Sequence, residues 1–214
     1  RYGSMMRFNH WIMVLLFGLA GFSGLALFHP SLFFLNNLFG GPQWTRILHP
    51  YLGVGVFIAF LFMFFALARA NLFNRNDVEW MKKSGDMLAG RKANMPPAGR
   101  FNAGQKGVFW VMAICMLLLL VTGVLFWQQW FANSVPIPLQ RVALVVHALS
   151  AFAISLVVVM HIYAALWVKG TVRAMTQGTV SAGWAKQNHY LWYTKVTGEG
   201  ADKRCSGRLT DTSP

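Results

Sequence analysis

Residues 142–169 read VALVVHALSAFAISLVVVMHIYAALWVK and contain no Asp, Glu, Lys or Arg before the final lysine. This apolar run is longer than the ~20 residues that an α-helix needs to cross a bilayer core, so it predicts a membrane-spanning helix. The run nevertheless contains two ionisable residues, His147 and His161, which are 14 residues apart. In an α-helix that separation is close to four turns, which places both rings on one face, ~21 Å apart along the axis.

The two histidines predict a functional site, because a polar ring inside a membrane is costly unless it binds a partner. Imidazole is a common ligand for iron, and a haem iron can take two imidazoles, one on each side of the porphyrin plane. One ring near each end of the same helix therefore predicts two haems at two depths. The other ligand of each haem must then come from another helix.

The whole chain has the composition of a membrane protein. Of its 214 residues 56% are hydrophobic and only 12% are charged, whereas a soluble domain carries about a quarter charged residues. Four charge-free runs are long enough to cross or nearly cross a bilayer, at residues 11–28, 47–68, 107–127 and 142–168. We therefore expect an all-α fold, an integral membrane four-helix bundle in one domain over residues 1–197, with a flexible end at residues 198–214.

The net charge of +13 is explained by membrane topology. Of the 19 Lys and Arg residues, 17 lie in the N-terminal segment, the long middle loop and the C-terminal tail, and only Arg46 and Arg141 lie in the other two loops. Since cytoplasmic loops carry the excess of basic residues, both termini and the middle loop are predicted to be cytoplasmic. The charge therefore does not call for a nucleic-acid partner, and membrane lipids are the expected surroundings.

Orientation assigns a depth to each histidine of the spans. His10 and His161 are predicted at the cytoplasmic side, whereas His49 and His147 are predicted at the outer side. Each depth thus holds two histidines from two different helices, which is the arrangement that two bis-histidine b-type haems require. Pro50 directly after His49 is typical of the first turn of a helix.

Other residues are expected to have simpler roles. The histidines outside these pairs, His29 and His189, are predicted to be a loop residue and a surface residue. Cys115 lies in an apolar run and Cys205 in the polar tail, so no disulfide is expected. The sequence has no C-x-x-C-H motif, so any haem is held without covalent attachment. The middle loop is expected to form one short helix around residues 78–88.

Several short motifs resemble one family of membrane cytochromes. The motifs are RILHP at residues 46–50, FNAGQK at residues 101–106, HIYAALWVKG at residues 161–170 and WAK at residues 184–186. They resemble the gamma subunit of respiratory formate dehydrogenase, and the similarity extends from Asn9 to Tyr193. The resemblance implies two haems b, one ligated by His49 and His147 and the other by His10 and His161.

The resemblance also implies a quinone site and an electron path. Menaquinone or ubiquinone is expected to bind beside the loop that enters the third span, at Asn102, Gly104, Gln105 and His161. Electrons from a molybdenum- or tungsten-containing alpha subunit are expected to pass through an iron–sulfur beta subunit to the haems and then to quinone. The chain is then the quinone-reducing subunit of a formate:quinone oxidoreductase in the bacterial inner membrane, without a formate-oxidising site of its own. A trimer of heterotrimers rests on the resemblance alone.

Alternative functions remain open from the residues themselves. A related cytochrome b could serve a nickel–iron hydrogenase or another molybdenum oxidoreductase, with a different electron donor and the same haems. A histidine-lined metal transporter or a structural membrane anchor is a second alternative, although a transporter typically clusters polar ligands near mid-membrane, often with carboxylates. None of the four predicted spans contains Asp or Glu. For Asn102 and Gln105, the alternative is simple capping of a helix N-terminus.

Overall fold

The computed structural model of the chain describes residues 1–88, 91 and 95–198. Within these residues the secondary structure consists of nine α-helices and short 3₁₀ segments, without a β-strand, which confirms the all-α prediction. The helices are α1 (Ser4–Phe28), α2 (Pro42–Leu67), α3 (Arg75–Lys82), α4 (Ser84–Leu88), α5 (Ala103–Leu125), α6 (Ile137–Trp167), α7 (Thr171–Thr176), α8 (Ala182–Asn188) and α9 (Tyr190–Thr197). The predicted flexible end lies outside the described residues from residue 199 onward, and so does Cys205.

Four of these helices, α1, α2, α5 and α6, are long and apolar enough to cross a membrane. They contain 25, 26, 23 and 31 residues and confirm the four predicted spans. Each helix begins several residues before the predicted run, because helical geometry tolerates polar and charged residues at the membrane surface. Arg46 and Arg141, for example, lie inside α2 and α6.

The predicted position of Pro50 is wrong. Helix α2 begins at Pro42, which takes the first helical position where a missing N–H costs nothing, and Pro50 lies inside the helix. An internal proline cannot donate the hydrogen bond that the carbonyl of Arg46 would accept, and this weakens the helix locally. His49 therefore lies about two turns inside α2 rather than at its start.

The chain divides into two compact units. Residues 2–67 and 108–169 form the first, which we call the helical unit because it holds nearly all of the four long helices. Arg1, residues 68–107 and the segment from residue 170 onward form the second, which we call the loop unit. The predicted single domain over residues 1–197 stays a prediction.

Side chains from three long helices form the core of the helical unit. Val56 and Phe60 of α2 meet Cys115 and Met116 of α5 and Ile154 of α6, and partly buried side chains of α1 pack against this cluster. On α6 the core residue lies midway between the two histidines, seven residues from each. Each separation is about two helical turns, or ~10 Å. An apolar core thus separates two levels of the unit along α6.

Helix α3 is attached to the start of α5 inside the loop unit. The Lys106 ammonium group donates to the Asp77 carboxylate at 2.7 Å and to the Leu72 carbonyl at 3.0 Å, and both charged side chains are buried. Nearby, a Cβ at Gly104 would lie 3.1 Å from the ring of Trp80, so the glycine lets the indole pack against the helix. The segment predicted to form one short helix around residues 78–88 instead forms two, α3 and α4.

The prediction that His189 is a surface residue is wrong. Its side chain is 1% exposed, and its Nδ1 lies 2.9 Å from the carbonyl oxygen of Gly99. Since a carbonyl only accepts, Nδ1 carries the proton and Nε2 accepts from the guanidinium of Arg1 at 3.3 Å. Burial, with a smaller contribution from the charge of Arg1, lowers the pKa of His189 to about 4. This histidine therefore stays neutral at physiological pH.

Candidate functional site

His49 and His147, which we call the first histidine pair, meet in the helical unit. His49 comes from α2 and His147 from α6, and their ring centroids are 6.3 Å apart with an angle of 70° between the ring planes. Two metal–imidazole bonds of about 2 Å each, plus the distance of about 1 Å from each nitrogen to its ring centre, require a centroid separation of about 6 Å. The spacing therefore fits two imidazole ligands of one metal ion.

The donor set of this pair fits a haem iron better than a metal ion held by protein alone. Among the described residues, no group of three or more His, Cys, Asp or Glu side chains could hold a metal. Two imidazoles leave the other coordination positions to a group that brings its own nitrogens, as a porphyrin does. The first histidine pair thus fits a b-type haem, while iron ligation itself stays a prediction.

Each ring of this pair is held by a hydroxyl group from a neighbouring helix. The hydroxyl of Ser23 on α1 lies 2.9 Å from Nδ1 of His49. The hydroxyl of Thr122 on α5 lies 3.0 Å from Nδ1 of His147. Both hydroxyl residues are buried, with 0% and 6% of their surface exposed. All four long helices therefore take part in positioning these two imidazoles.

A glycine follows each hydroxyl residue and gives the imidazole room. A Cβ at Gly24 would lie 3.2 Å from Cε1 of His49, and a Cβ at Gly123 would lie 3.4 Å from Cε1 of His147. The distance at Gly24 is shorter than most Cβ contacts, so a larger residue there would push the ring of His49 aside, whereas the distance at Gly123 is close to ordinary van der Waals contact. The sequences Ser23-Gly24 and Thr122-Gly123 thus make the same two contacts with the two rings, one from a hydroxyl group and one from a glycine. We call the two glycines the glycine seats.

His10 and His161, the second histidine pair, also lie in the helical unit, on α1 and α6. The ring of His10 packs edge to face on Trp11 at 5.4 Å. Its Nδ1 is buried, and no polar atom within the described part of the chain bonds to it. The adjacent Asn9 donates to the Ala59 carbonyl at 2.9 Å, which fixes the backbone of α1 beside α2.

The two histidines of this pair differ in burial, since His161 is exposed and His10 is partly buried. The unbonded Nδ1 of His10 and the exposed ring of His161 are consistent with a haem bound between α1 and α6. Ligation of a second haem by this pair stays a prediction.

Two of the four residues predicted to bind quinone, Asn102 and Gln105, form a helix cap in the loop unit, whereas His161 belongs to the helical unit. The backbone N–H of Asn102 donates to the side-chain oxygen of Gln105 at 3.0 Å, and the backbone N–H of Gln105 donates to the side-chain oxygen of Asn102 at 2.9 Å. This reciprocal pair is a capping box at the start of α5. Because both side chains use their oxygens, their NH₂ groups are left as donors. The capping alternative is thus observed, and it leaves the groups that a quinone carbonyl would need.

Sequence reasoning did not identify Ser23, Thr122 or Gly123 as site residues. Hydroxyl residues and glycines are common in membrane helices for packing, so neither type stands out alone. The available signal was a hydroxyl–glycine pair near the same end of two different helices, at the depth predicted for the first histidine pair. His29, predicted as a loop residue, accepts from the backbone N–H of Ser31 at 3.2 Å and caps the 3₁₀ segment Pro30–Phe39.

Comparisons with known proteins are consistent among themselves. A family model described as prokaryotic cytochrome b561 matches residues 1–178. The cytochrome b556(fdo) subunit of formate dehydrogenase from Escherichia coli K12 is 45% identical over 196 residues, covering 92% of each chain. The nitrate-inducible cytochrome b556(Fdn) subunit from the same organism is 37% identical, covering 91% of this chain and 89% of the relative. The formate dehydrogenase cytochrome b556 subunit from Haemophilus influenzae is 36% identical, covering 90% and 81%.

Proposed function

Since the chain belongs to the prokaryotic cytochrome b561 family and, within it, to the cytochrome b556 subunits of formate dehydrogenase, we propose that it carries electrons from an iron–sulfur partner subunit to a quinone. It is a membrane cytochrome b with four spanning helices. Formate is oxidised to carbon dioxide, a proton and two electrons in the partner catalytic subunit. The two electrons, with two protons taken from water, reduce one quinone to a quinol.

Two haems b would supply the one-electron carriers between these reactions. The first histidine pair would hold one of them and the second histidine pair the other. The observation that carries this assignment is the 6.3 Å separation of the first pair's ring centroids. Around it the protein supplies fixed imidazoles, two buried hydroxyl groups and an apolar core.

The resemblance assigns quinone binding to Asn102, Gly104 and Gln105 of the loop unit and to His161 of the helical unit. The amide NH₂ groups that the capping box leaves over are suited to donate to a quinone carbonyl. Gly104 has a packing role against Trp80 in addition to any role toward a ligand. Protons for the reduction come from water at the surface where α5 begins.

Charge supports the orientation of the chain in a bacterial inner membrane. The basic residues of the middle loop and tail favour a cytoplasmic position for these segments and for both termini. The first histidine pair then faces the outer side, where a haem held by it would take electrons from a periplasmic iron–sulfur subunit. The quinone takes up its protons on the cytoplasmic side, so the transfer moves charge across the membrane. The family resemblance implies that three heterotrimers, each with an alpha, a beta and a gamma subunit, associate with one another.

The electron donor is tested with membranes that contain the assembled complex. Visible spectra are recorded under anaerobic conditions after addition of formate or of hydrogen. Formate should reduce the b-type haems, which is seen as the absorption bands of their ferrous form, and a menaquinone analogue should reoxidise these haems. Reduction by hydrogen and not by formate would contradict the proposal and favour a hydrogenase cytochrome. Absence of any b-type absorption in the purified subunit would favour a transporter or an anchor.

A further inference from the structure

The hydrogen bonds to the first histidine pair run in one determined direction. The hydroxyl of Ser23 contacts the Ala20 carbonyl at 3.0 Å and Nδ1 of His49 at 2.9 Å. A carbonyl oxygen only accepts, and a serine hydroxyl has one hydrogen to give. That hydrogen goes to Ala20, so the proton in the second contact belongs to Nδ1 of the imidazole.

The same argument holds on the other side of the site. The hydroxyl of Thr122 donates to the carbonyl of Leu118 and also lies 3.4 Å from that of Leu119. Its contact with Nδ1 of His147 therefore uses the imidazole proton. In both rings the lone pair is then left on Nε2, the nitrogen that can bind a metal. Two unrelated helices impose the same tautomer on the two rings.

We infer that Ser23 and Thr122 are positioning residues that hold His49 and His147 as Nε2 ligands and lower the reduction potential of the haem between them. This inference rests on the proposed function for the identity of the bound group. A hydrogen bond from Nδ1–H to an acceptor fixes the ring and makes the ligating nitrogen more basic. A more basic ligand stabilises ferric over ferrous iron, because it donates more charge to the metal.

A purely structural role makes a different prediction. Ser and Thr in membrane helices often bond the carbonyl one turn earlier without further function. Ser155 of α6 is such a residue, since its hydroxyl donates to the Ala151 carbonyl at 2.7 Å. It lies in the same helical unit and therefore serves as a matched control.

The test uses the purified complex and compares Ser23→Ala, Thr122→Val and the control Ser155→Ala. The conservative variants Ser23→Thr and Thr122→Ser keep the hydroxyl groups. Haem content is measured first, and each haem's midpoint potential then follows from a redox titration monitored by visible spectra. The ligand field of the ferric form is read by electron paramagnetic resonance. A His147→Ala variant identifies which spectral component belongs to the first histidine pair.

We expect Ser23→Ala and Thr122→Val to raise the potential of that one haem and to change its resonance signal. The affinity of the site for its haem should fall about ten- to hundredfold, as for other losses of hydrogen bonds to metal ligands. Both conservative variants and Ser155→Ala should resemble the unmodified chain. If Thr122→Val does not assemble, Ser23→Ala alone decides, because both hydroxyl groups act on the same iron.

Unchanged potential and resonance in a variant that keeps its haem would overturn the inference and leave the proposed function intact. Equal shifts of both haems would also overturn it, since the effect would then not be local to the first histidine pair. An unmodified chain without a bis-imidazole haem would overturn the proposed function and the inference together.

Discussion

The first and second histidine pairs lie in the same helical unit but are held differently. In the first pair each imidazole has a hydroxyl group within hydrogen-bond distance of Nδ1 and a glycine against the ring. In the second pair, Nδ1 of His10 is buried and bonds to no described residue, and His161 is exposed. The protein alone therefore fixes the tautomer and ring position of the first pair. The second pair has fewer hydrogen bonds from the chain, which leaves its ring orientation to packing.

This difference matches the roles proposed for the two levels. A site that only passes electrons benefits from rigid ligands, because little reorganisation accompanies the change in charge. A site next to a quinone must admit a substrate that arrives and leaves. The comparison therefore separates a rigid carrier level from a more open level, and each prediction below tests one side of that contrast.

The largest effect is expected from removal of one ligand. His49→Ala or His147→Ala should abolish the haem of the first pair and keep the other, because a single imidazole holds iron weakly. His10→Ala or His161→Ala should give the converse result. Haem content and the reduced-minus-oxidised spectrum of each purified variant provide the measurement. Loss of both haems in every variant, or of neither, would break the assignment into two independent levels.

A smaller effect, on the rate at which quinone reoxidises the haems, is expected from substitutions at the start of α5. Gln105→Leu and Asn102→Ala should keep both haems and still allow formate to reduce them. Reoxidation by quinone should slow about tenfold or more, because a lost hydrogen bond to a buried carbonyl costs ~1–3 kcal/mol. Rapid mixing of reduced complex with a quinone analogue measures the rate. Normal reoxidation in both variants would remove the quinone site from this loop and leave only the helix cap.

An intermediate loss of haem affinity is expected at the glycine seats. Gly24→Ala would place a methyl group 3.2 Å from the ring of His49, so the imidazole must move by a few tenths of an ångström. Overpacking of this kind costs roughly 1–3 kcal/mol, which corresponds to about fivefold or more in haem retention. Gly18→Ala on the same helix is the matched control, since nothing lies within 4 Å of a Cβ there. Equal haem loss from the two variants would show that the ring has no special need for Gly24.

The smallest effect on haem is expected for the buried histidine of the loop unit. His189→Gln should leave both haems in place, because this histidine is proposed to bind no iron. The pKa of His189 is lowered to about 4 in the folded chain, whereas the ordinary value of 6.5 applies to the unfolded chain. Between these two pH values the unfolded chain therefore binds the proton more tightly than the folded chain. Stability should therefore fall by about 3 kcal/mol as the pH drops from 6.5 toward 4. Thermal melts across that range should show the fall in the unmodified chain and a weaker fall in the variant.

Much of the membrane architecture follows from composition alone, because an apolar run of about 20 residues has few alternatives to a spanning helix. The four spans were predictable for this reason. Helix ends were less so, since the start of α2 depends on the turn at Gly40 and Gly41, whose φ angles are +82° and +106°. The internal position of Pro50 follows from that earlier start.

Contacts between distant segments were the least predictable part. The Lys106–Asp77 ion pair joins residues 29 apart, and nothing in either local sequence indicates that the lysine is buried. The burial of His189 similarly depends on Gly99, which is 90 residues away. The hydroxyl groups of Ser23 and Thr122 were visible in the sequence, but their direction toward a histidine depends on helix rotation. Periodicity predicts a helix without fixing which side of it faces a given neighbour.

The central claim is that one chain holds two haems b, each between two histidines of different helices. The most direct measurement is the haem content of the purified complex, determined as the pyridine adduct and divided by the amount of this chain from amino-acid analysis. Electron paramagnetic resonance of the oxidised sample then reports the axial ligands. The account predicts two non-covalent haems per chain, both low-spin with two imidazole ligands. One haem per chain, or a ligand set other than two imidazoles, would contradict it.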